Sequence, residues 1–222
     1  MKFLIITILF ITLSIPTTNA YMVISDVHAG SQNTRKGLHG RPNDYPKKGV
    51  AKFESSLKQA VKRGEKIVLS LGDETNNRTT SYEKKLLKVA RKYPQLTILY
   101  TRGNHNPNNS VLTPRPYYYV DLGDKRIVVL NTNEIDANGR GGISQTQMEW
   151  LKEAIKDKQS IVLMHHPVFL FNTCTVANQE LKDVLDNPNV EKVFAGHWHL
   201  RLDCGKYQMF PALTSRGYSI IN

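Results

Sequence analysis

Six of the seven histidines of this chain fall in short loops that directly follow apolar runs of strand length. Tyr21–Ser25 runs into Asp26-Val27-His28, and Ile67–Leu71 runs into Gly72-Asp73. Thr97–Tyr100 precedes Gly103-Asn104-His105. Ser160–Met164 leads into His165-His166-Pro167, and Val190–Ala195 into Gly196-His197-Trp198-His199. Only His39 stands apart. A single histidine is usually a satisfied structural residue, and an isolated Asp-x-His or Gly-Asp means little. Five such loops in order, each after a strand, demand a fold that gathers strand ends at one edge.

The runs themselves narrow that fold. Several are short, β-branched and uninterrupted, as expected for strands covered on both faces. Tyr117–Leu122 and Arg126–Leu130 add two more. Helical patterns lie between them. Phe53, Leu57, Ala60 and Val61 share one face, as do Leu86, Leu87, Val89 and Ala90. Ser144 and Gln147 have the spacing of a capping box, ahead of an apolar stripe of Met148, Leu151 and Ile155. Further on, Leu200–Leu202, Gln208–Leu213 and Gly217–Ile221 read as strands. Alternating strands and helices followed by strand hairpins predict an α/β sandwich in one domain.

The loop residues are metal-binding types. In extended chain, Asp26 and His28 point to one side, and so do His197 and His199 across Trp198. A carboxylate with an imidazole suits Mn, Fe or Zn better than Ca or Mg. Gly72 lets the backbone turn sharply and expose Asp73, whose carboxylate can bridge two cations. Asn104 offers a neutral amide oxygen, and His105 beside it is free to donate a proton.

As an ordered set, Asp26-x-His28, Gly72-Asp73, Gly103-Asn104-His105, His165-x-Pro167 and Gly196-His197-x-His199 resemble the calcineurin-like metallophosphoesterase superfamily. Tyr117–Leu130 followed by Asn131-Thr132, and Ser144–Gln147 leading into Trp150-Leu151, extend the likeness from Tyr21 to Asn222. The resemblance implies a four-layer αββα sandwich with a dinuclear site at the strand ends, holding two divalent metal ions (Mn, Fe or Zn). It implies that Asp26, His28, Asp73 and His199 hold one metal. Asp73, Asn104, His165 and His197 would hold the other, with Asp73 as the bridge and His166 outside the ligand set. The implied activity is hydrolysis of a phosphomonoester or phosphodiester by water activated between the metals, with His105 as the catalytic proton donor.

Two departures from the family pattern bear on chemistry. Asn106 stands where many members carry an acid, which leaves open what orients His105. Asn76 stands three residues after Asp73, where purple acid phosphatases carry a tyrosine ligand, so an iron–tyrosinate centre is not expected. A catalytically silent scaffold of the same fold predicts missing ligands, and every ligand position here is filled. A nuclease would be a variant within the same superfamily.

Three features lie outside the motifs. Lys2, an apolar run from Phe3 to Leu13, and Thr18-Asn19-Ala20 form the pattern of a secretory signal peptide over residues 1–20. That predicts a domain over residues 21–222 in a secreted or periplasmic protein. Thr7, Thr12 and Ser14 interrupt the apolar run, which is short of the roughly 20 residues of a membrane span, and no later candidate follows. In an oxidising compartment Cys174 and Cys204 could pair and tie two loops near the site; two unpaired thiols are the alternative.

Charge is the third. Thirty Lys and Arg against nineteen Asp and Glu give a formal charge of +11, which attracts phosphate-bearing partners, anionic lipid or nucleic acid. No interleaved aromatic and basic platform for nucleic acid stands out. The loop Ser31–Gly49 carries Arg35, Lys36, His39, Arg41, Lys47 and Lys48 and leaves directly from the first ligand motif. It is expected either to contact the phosphate of a phosphoester substrate or to be a solvated surface loop.

Overall fold

Along the first strand, β1 (Tyr21–Ile24), Tyr21 and Val23 face one apolar layer while Met22 and Ile24 face another. That is the two-residue period of a strand buried on both sides, and it explains why the run carries no polar alternation. The computed structural model describes residues 20–36, 43–135, 140–170 and 173–221. Apart from Ala20, the expected signal peptide lies outside the described residues, as do His39, Arg41 and Asn222. Among the described residues no helix is long and apolar enough to cross a membrane.

β1 pairs in parallel with β2 (Ile67–Ser70), and β2 with β3 (Thr97–Tyr100). The last strand, β10 (Ser219–Ile221), runs antiparallel along the free edge of β1. A second sheet contains β4 (Tyr118–Leu122), β5 (Lys125–Val129), β6 (Gln159–Leu163), β7 (Val190–Ala195), β8 (Leu202–Cys204) and β9 (Tyr207–Met209). Its order is β4-β5-β6-β7-β9-β8, with β5, β6 and β7 parallel.

The sheets face each other through Tyr21, Val23, Leu69 and Leu71 on one side and Ile127, Val129, Leu163 and Phe194 on the other. Helices α1 (Gly49–Lys62) and α2 (Thr80–Ala90) cover the outer face of the first sheet, with Phe53, Leu57 and Leu86 packed on Met22, Ile24 and Val68. Helices α3 (Gln145–Ile155) and α4 (Gln179–Leu185) cover the second through Met148, Leu151, Leu181 and Leu185. Phe53, Leu57, Leu86 and Leu151 are fully buried, and each such side chain stabilises the fold by roughly 1.5–3 kcal/mol. The result is the expected αββα order of layers. Because the central strands of each sheet are parallel, their carboxyl ends open onto one edge, where loops meet.

Three local expectations change. Gln208–Leu213 is not one strand: β9 ends at Met209, and Leu213–Arg216 forms a short helix, α5. The strand expected at Leu200–Leu202 begins at Leu202 and forms a hairpin with β9 about Gly205-Lys206, where Gly205 has φ 75°. The capping box is half formed. Ser144 Oγ accepts from Gln147 N at 3.2 Å, but the Gln147 amide instead accepts from Asn131 N at 2.8 Å and donates to Asn131 O at 3.1 Å. The backbone of Asn131, in the loop after β5, is the buried partner that Gln147 takes, while Ser144 N donates to Glu134 Oε2 at 2.8 Å.

Candidate metal centre

The loops after β1 and β2 run on side by side. Asp26 N donates to Gly72 O at 3.0 Å, and His28 N to Asp73 O at 2.8 Å. The loops after β6 and β7 are joined by Gly196 N donating to His165 O at 3.1 Å. Close approach of the chains needs the motif glycines. A Cβ on Gly103 would sit 2.2 Å from Asp73 Oδ1, and one on Gly196 would sit 2.1 Å from Ser25 Oγ.

The expectation that Asp26/His28 and His197/His199 align as extended chain is corrected. Asp26, His28, Asp73, His197 and His199 all have positive φ, between 44° and 68°. Left-handed backbone is unfavourable for residues with a Cβ, by roughly 1–3 kcal/mol each, and persists where the surroundings over-determine it. Here a left-handed turn, not strand alternation, aims each side chain inward.

What converges is a double cluster. Asp73 Oδ2 lies 3.6 Å from His28 Nε2 on one side and 3.3 Å from His165 Nε2 on the other. On the first side His28 Nε2 and His199 Nε2 approach to 3.0 Å, and His199 Nε2 lies 3.2 Å from Asp26 Oδ1. On the second side His165 Nε2 lies 3.0 Å from Asn104 Oδ1 and 3.3 Å from His197 Nδ1. All seven residues expected as ligands are therefore brought together, with Asp73 in contact with both sides. His105 stands at the rim, its ring centroid 5.0 Å from that of His28.

Hydrogen bonds around the cluster set which atoms face inward. A carbonyl only accepts, so His165 must carry a proton on Nδ1, which donates to Leu71 O at 2.8 Å and leaves Nε2 as the nitrogen that faces the cluster. The same reasoning places the His105 proton on Nδ1, 2.7 Å from Asn76 O. Asp44 Oδ2 lies 3.0 Å from His199 Nδ1. Asp73 Oδ1 accepts from His105 N at 2.7 Å, which holds its other oxygen toward the histidines. Ser25 Oγ and, at 3.1 Å, His197 N donate to Asp26 Oδ2, while Asp26 Oδ1 is buried without a hydrogen bond.

Electrostatics follow the geometry. Burial disfavours charge on Asp26 and Asp73, yet His199 beside the first and His165 beside the second hold both below the usual carboxylate range. Burial likewise opposes protonation of His165 and His199, but Asp73 and Asp26 respectively push each up to about 9. His166 is different: burial, then the neighbouring His165 and His197, pull it down to about 2. Its Nδ1 lies 2.9 Å from Thr132 Oγ1, and it touches the cluster edge-on rather than through a ring nitrogen shared with the carboxylates.

This donor set fits divalent metal. Converging ring nitrogens, two buried carboxylates and an amide oxygen are a poor arrangement for a dry core and a good one for cations. The ligand atoms of Asp26, His28 and His199 lie within 4.8 Å of one another, as do those of Asp26, Asp73 and His165, of His28, Asp73 and His105, and of His165, His166 and His197.

Neighbouring residues show what the sequence left unread. The Arg35 guanidinium lies 3.2 Å from the His28 ring nitrogens and 3.4 Å from His105 Nε2. Lys36 is exposed. Asp44 was not singled out; its one signal is that it is the only acid in the basic loop Ser31–Gly49. Asn106 turns out to brace the loop and not the imidazole. Its Oδ1 accepts from Asp73 N and Gly103 N at 3.0 and 2.9 Å, and its Nδ2 donates to buried Glu83 at 3.1 Å. The cysteines do pair: Cys174, beyond the His165 loop, is joined to Cys204 at the end of β8, with 5.9 Å between Cα atoms.

Comparison with known proteins agrees with the fold. The sequence profile of the calcineurin-like phosphoesterases matches residues 21–201. The chain belongs to that family, and is thus a metal-dependent phosphoester hydrolase by class. Its fold is similar to that of a dimetal phosphatase from Danio rerio, with TM-score 0.72 and 16% identity over 90% of this chain and 91% of that one. It is also similar to a purple acid phosphatase from yellow lupin (Lupinus luteus) seeds, with TM-score 0.52 and 14% identity over 81% of this chain and 38% of that one. No curated protein matches the sequence.

Proposed function

We propose that this chain is an exported two-metal phosphoesterase in which Asp26, His28, His199 and Asp73 hold one ion, and Asp73, Asn104, His165 and His197 hold the second. The observation that carries the reading is the position of Asp73 Oδ2, within 3.6 Å of His28 Nε2 and 3.3 Å of His165 Nε2. Two divalent ions bound there would neutralise phosphoryl oxygens and lower the pKa of water held between them. The histidine-rich set favours Mn, Fe or Zn over Mg or Ca. His105, with Nδ1 committed to Asn76 O, keeps Nε2 for passing a proton to the leaving oxygen. Arg35, without a carboxylate partner among the described residues, supplies a guanidinium for a phosphoryl oxygen.

The test is hydrolysis of bis(p-nitrophenyl) phosphate and p-nitrophenyl phosphate with Mn, Fe, Zn or chelator, beside an Asp73→Asn control. Metal-dependent turnover lost in the control supports the reading, and the ratio of the two esters separates diesterase from monoesterase. A folded chain that binds two ions and cleaves neither ester would favour a metal-binding scaffold. Export is tested by the mass of the protein recovered outside the cytoplasm: loss of residues 1–20 supports it.

A further inference from the structure

The third ligand loop also forms one wall of a cavity of about 180 Å³. Gly103 and Asn104 line it, and Asn104 Oδ1 is 3.0 Å from His165 Nε2, so the cavity opens directly from the metal centre. Thr132, Asn133 and His166 form the facing wall. Two guanidinium groups, Arg78 and Arg102, complete it, and no carboxylate lines it.

Both arginines are held in place by neutral acceptors. Arg78 has φ 52°, the one non-glycine residue outside the ligand set with left-handed backbone among the described residues. Its N–H donates to His105 O at 3.1 Å and its Nε to Asn104 O at 2.9 Å, and its side chain is exposed and lines the cavity. Arg102 donates through Nε to Thr113 Oγ1 at 3.3 Å and through Nη2 to Thr113 O at 2.7 Å. Among the described residues neither arginine has an acidic partner. Asn133, which donates to Arg102 O at 2.8 Å, keeps a buried Oδ1 without a hydrogen bond. Two uncompensated cations, strained backbone at one of them, and spare polar atoms are features of a binding wall, since a purely structural loop gains nothing from them.

We propose that Arg78 and Arg102 form a subsite for a second phosphoryl group, so that the enzyme prefers phosphoesters bearing two phosphates over those bearing one. The proposal rests on the phosphoesterase reading of the metal centre. A phosphate offers several acceptor oxygens to planar guanidinium forks, and charge-assisted bonds of that kind are the strong ones.

The probes are the mono- and bisphosphates of ethanediol, butanediol and hexanediol, given to the metal-loaded full chain. For at least one chain length the bisphosphate should have a kcat/KM about tenfold above the monophosphate, carried by KM, as expected of one added charge-assisted contact. In Arg78→Gln, a change at an exposed side chain, that ratio should fall toward one. A ratio of one at every length in the wild type overturns the proposal. So does a ratio that survives Arg78→Gln, or loss of both esters by the same factor. Calorimetric Kd values read the same ratio without turnover. Tight binding of the bisphosphate with no cleavage of any ester would keep the subsite and remove the hydrolase reading.

Discussion

Arg35 and Asp44 exchange both of their backbone hydrogen bonds, at 2.9 and 3.0 Å, so one two-residue bridge presents a cation and a carboxylate to neighbouring histidines on the same side of the centre. The guanidinium reaches His28 and His105, while the carboxylate reaches His199 Nδ1. The bridge thereby joins a substrate-facing group and a ligand-orienting group on one short piece of chain. The two jobs separate by mutation. Asp44→Asn should weaken metal binding by about 10–100-fold, the usual cost of removing a carboxylate behind a ligating histidine. Arg35→Gln should leave metal content intact and raise KM. Metal titration beside Michaelis kinetics distinguishes them, and equal metal loss in both variants would refute the division.

Removing the shared carboxylate is expected to be worse than removing a terminal ligand. Asp73→Asn should lower bound metal from two ions toward one or none, because the residue faces both clusters. Elemental analysis of the purified variant checks this. Retention of two ions would mean that Asp73 does not bridge.

His105→Asn should keep the metal and lose turnover by about 10²–10⁴-fold, the range for a positioned proton-transfer group. The loss should be greatest for alkyl esters and smallest for p-nitrophenyl esters, whose leaving group needs little protonation. A loss independent of leaving group would assign His105 to positioning instead.

The metal-free and metal-loaded chains should respond oppositely to pH. Burial opposes charge on His165 and His199, but Asp73 and Asp26 raise them from 6.5 to about 9. A raised folded-state pKa gives stability that is full below pH 6.5 and lost as pH rises through about 9. Metal must displace those protons, so its affinity should climb over the same interval. Thermal melts from pH 6.5 to 9 should show a falling Tm without metal and a widening gap with it. Proton release on loading, read by calorimetry in buffers of different ionisation enthalpy, gives the count directly.

Much of this was legible because the candidate ligands, four of them histidines, follow strand-length runs. Uninterrupted runs such as Ile67–Leu71 are the pattern of doubly covered strands, and Gly72-Asp73 or Gly196-His197 after them suit tight exits. What stayed hidden was set by contacts distant in sequence. Nothing near Asn106 announces that Glu83, on α2, will take its amide, and nothing near His199 announces Asp44. Gln147 looked like half of a capping box because the competing Asn131 backbone lies on another element. Nothing in the sequence pairs Arg78 with Arg102, which the fold places on one cavity.

The left-handed backbone at Asp26, His28, Asp73, His197 and His199 has a consequence for engineering. Copying the seven ligand identities onto another strand edge would transplant the letters of the site and not its shape. A graft would also need to bring Gly103 and Gly196, where a Cβ would collide, and the backbone pairing that locks Asp26 to Gly72. By the same logic, a library that randomises the ligands while keeping those turns should recover new metal specificities more readily than one that randomises the turns while keeping the ligands.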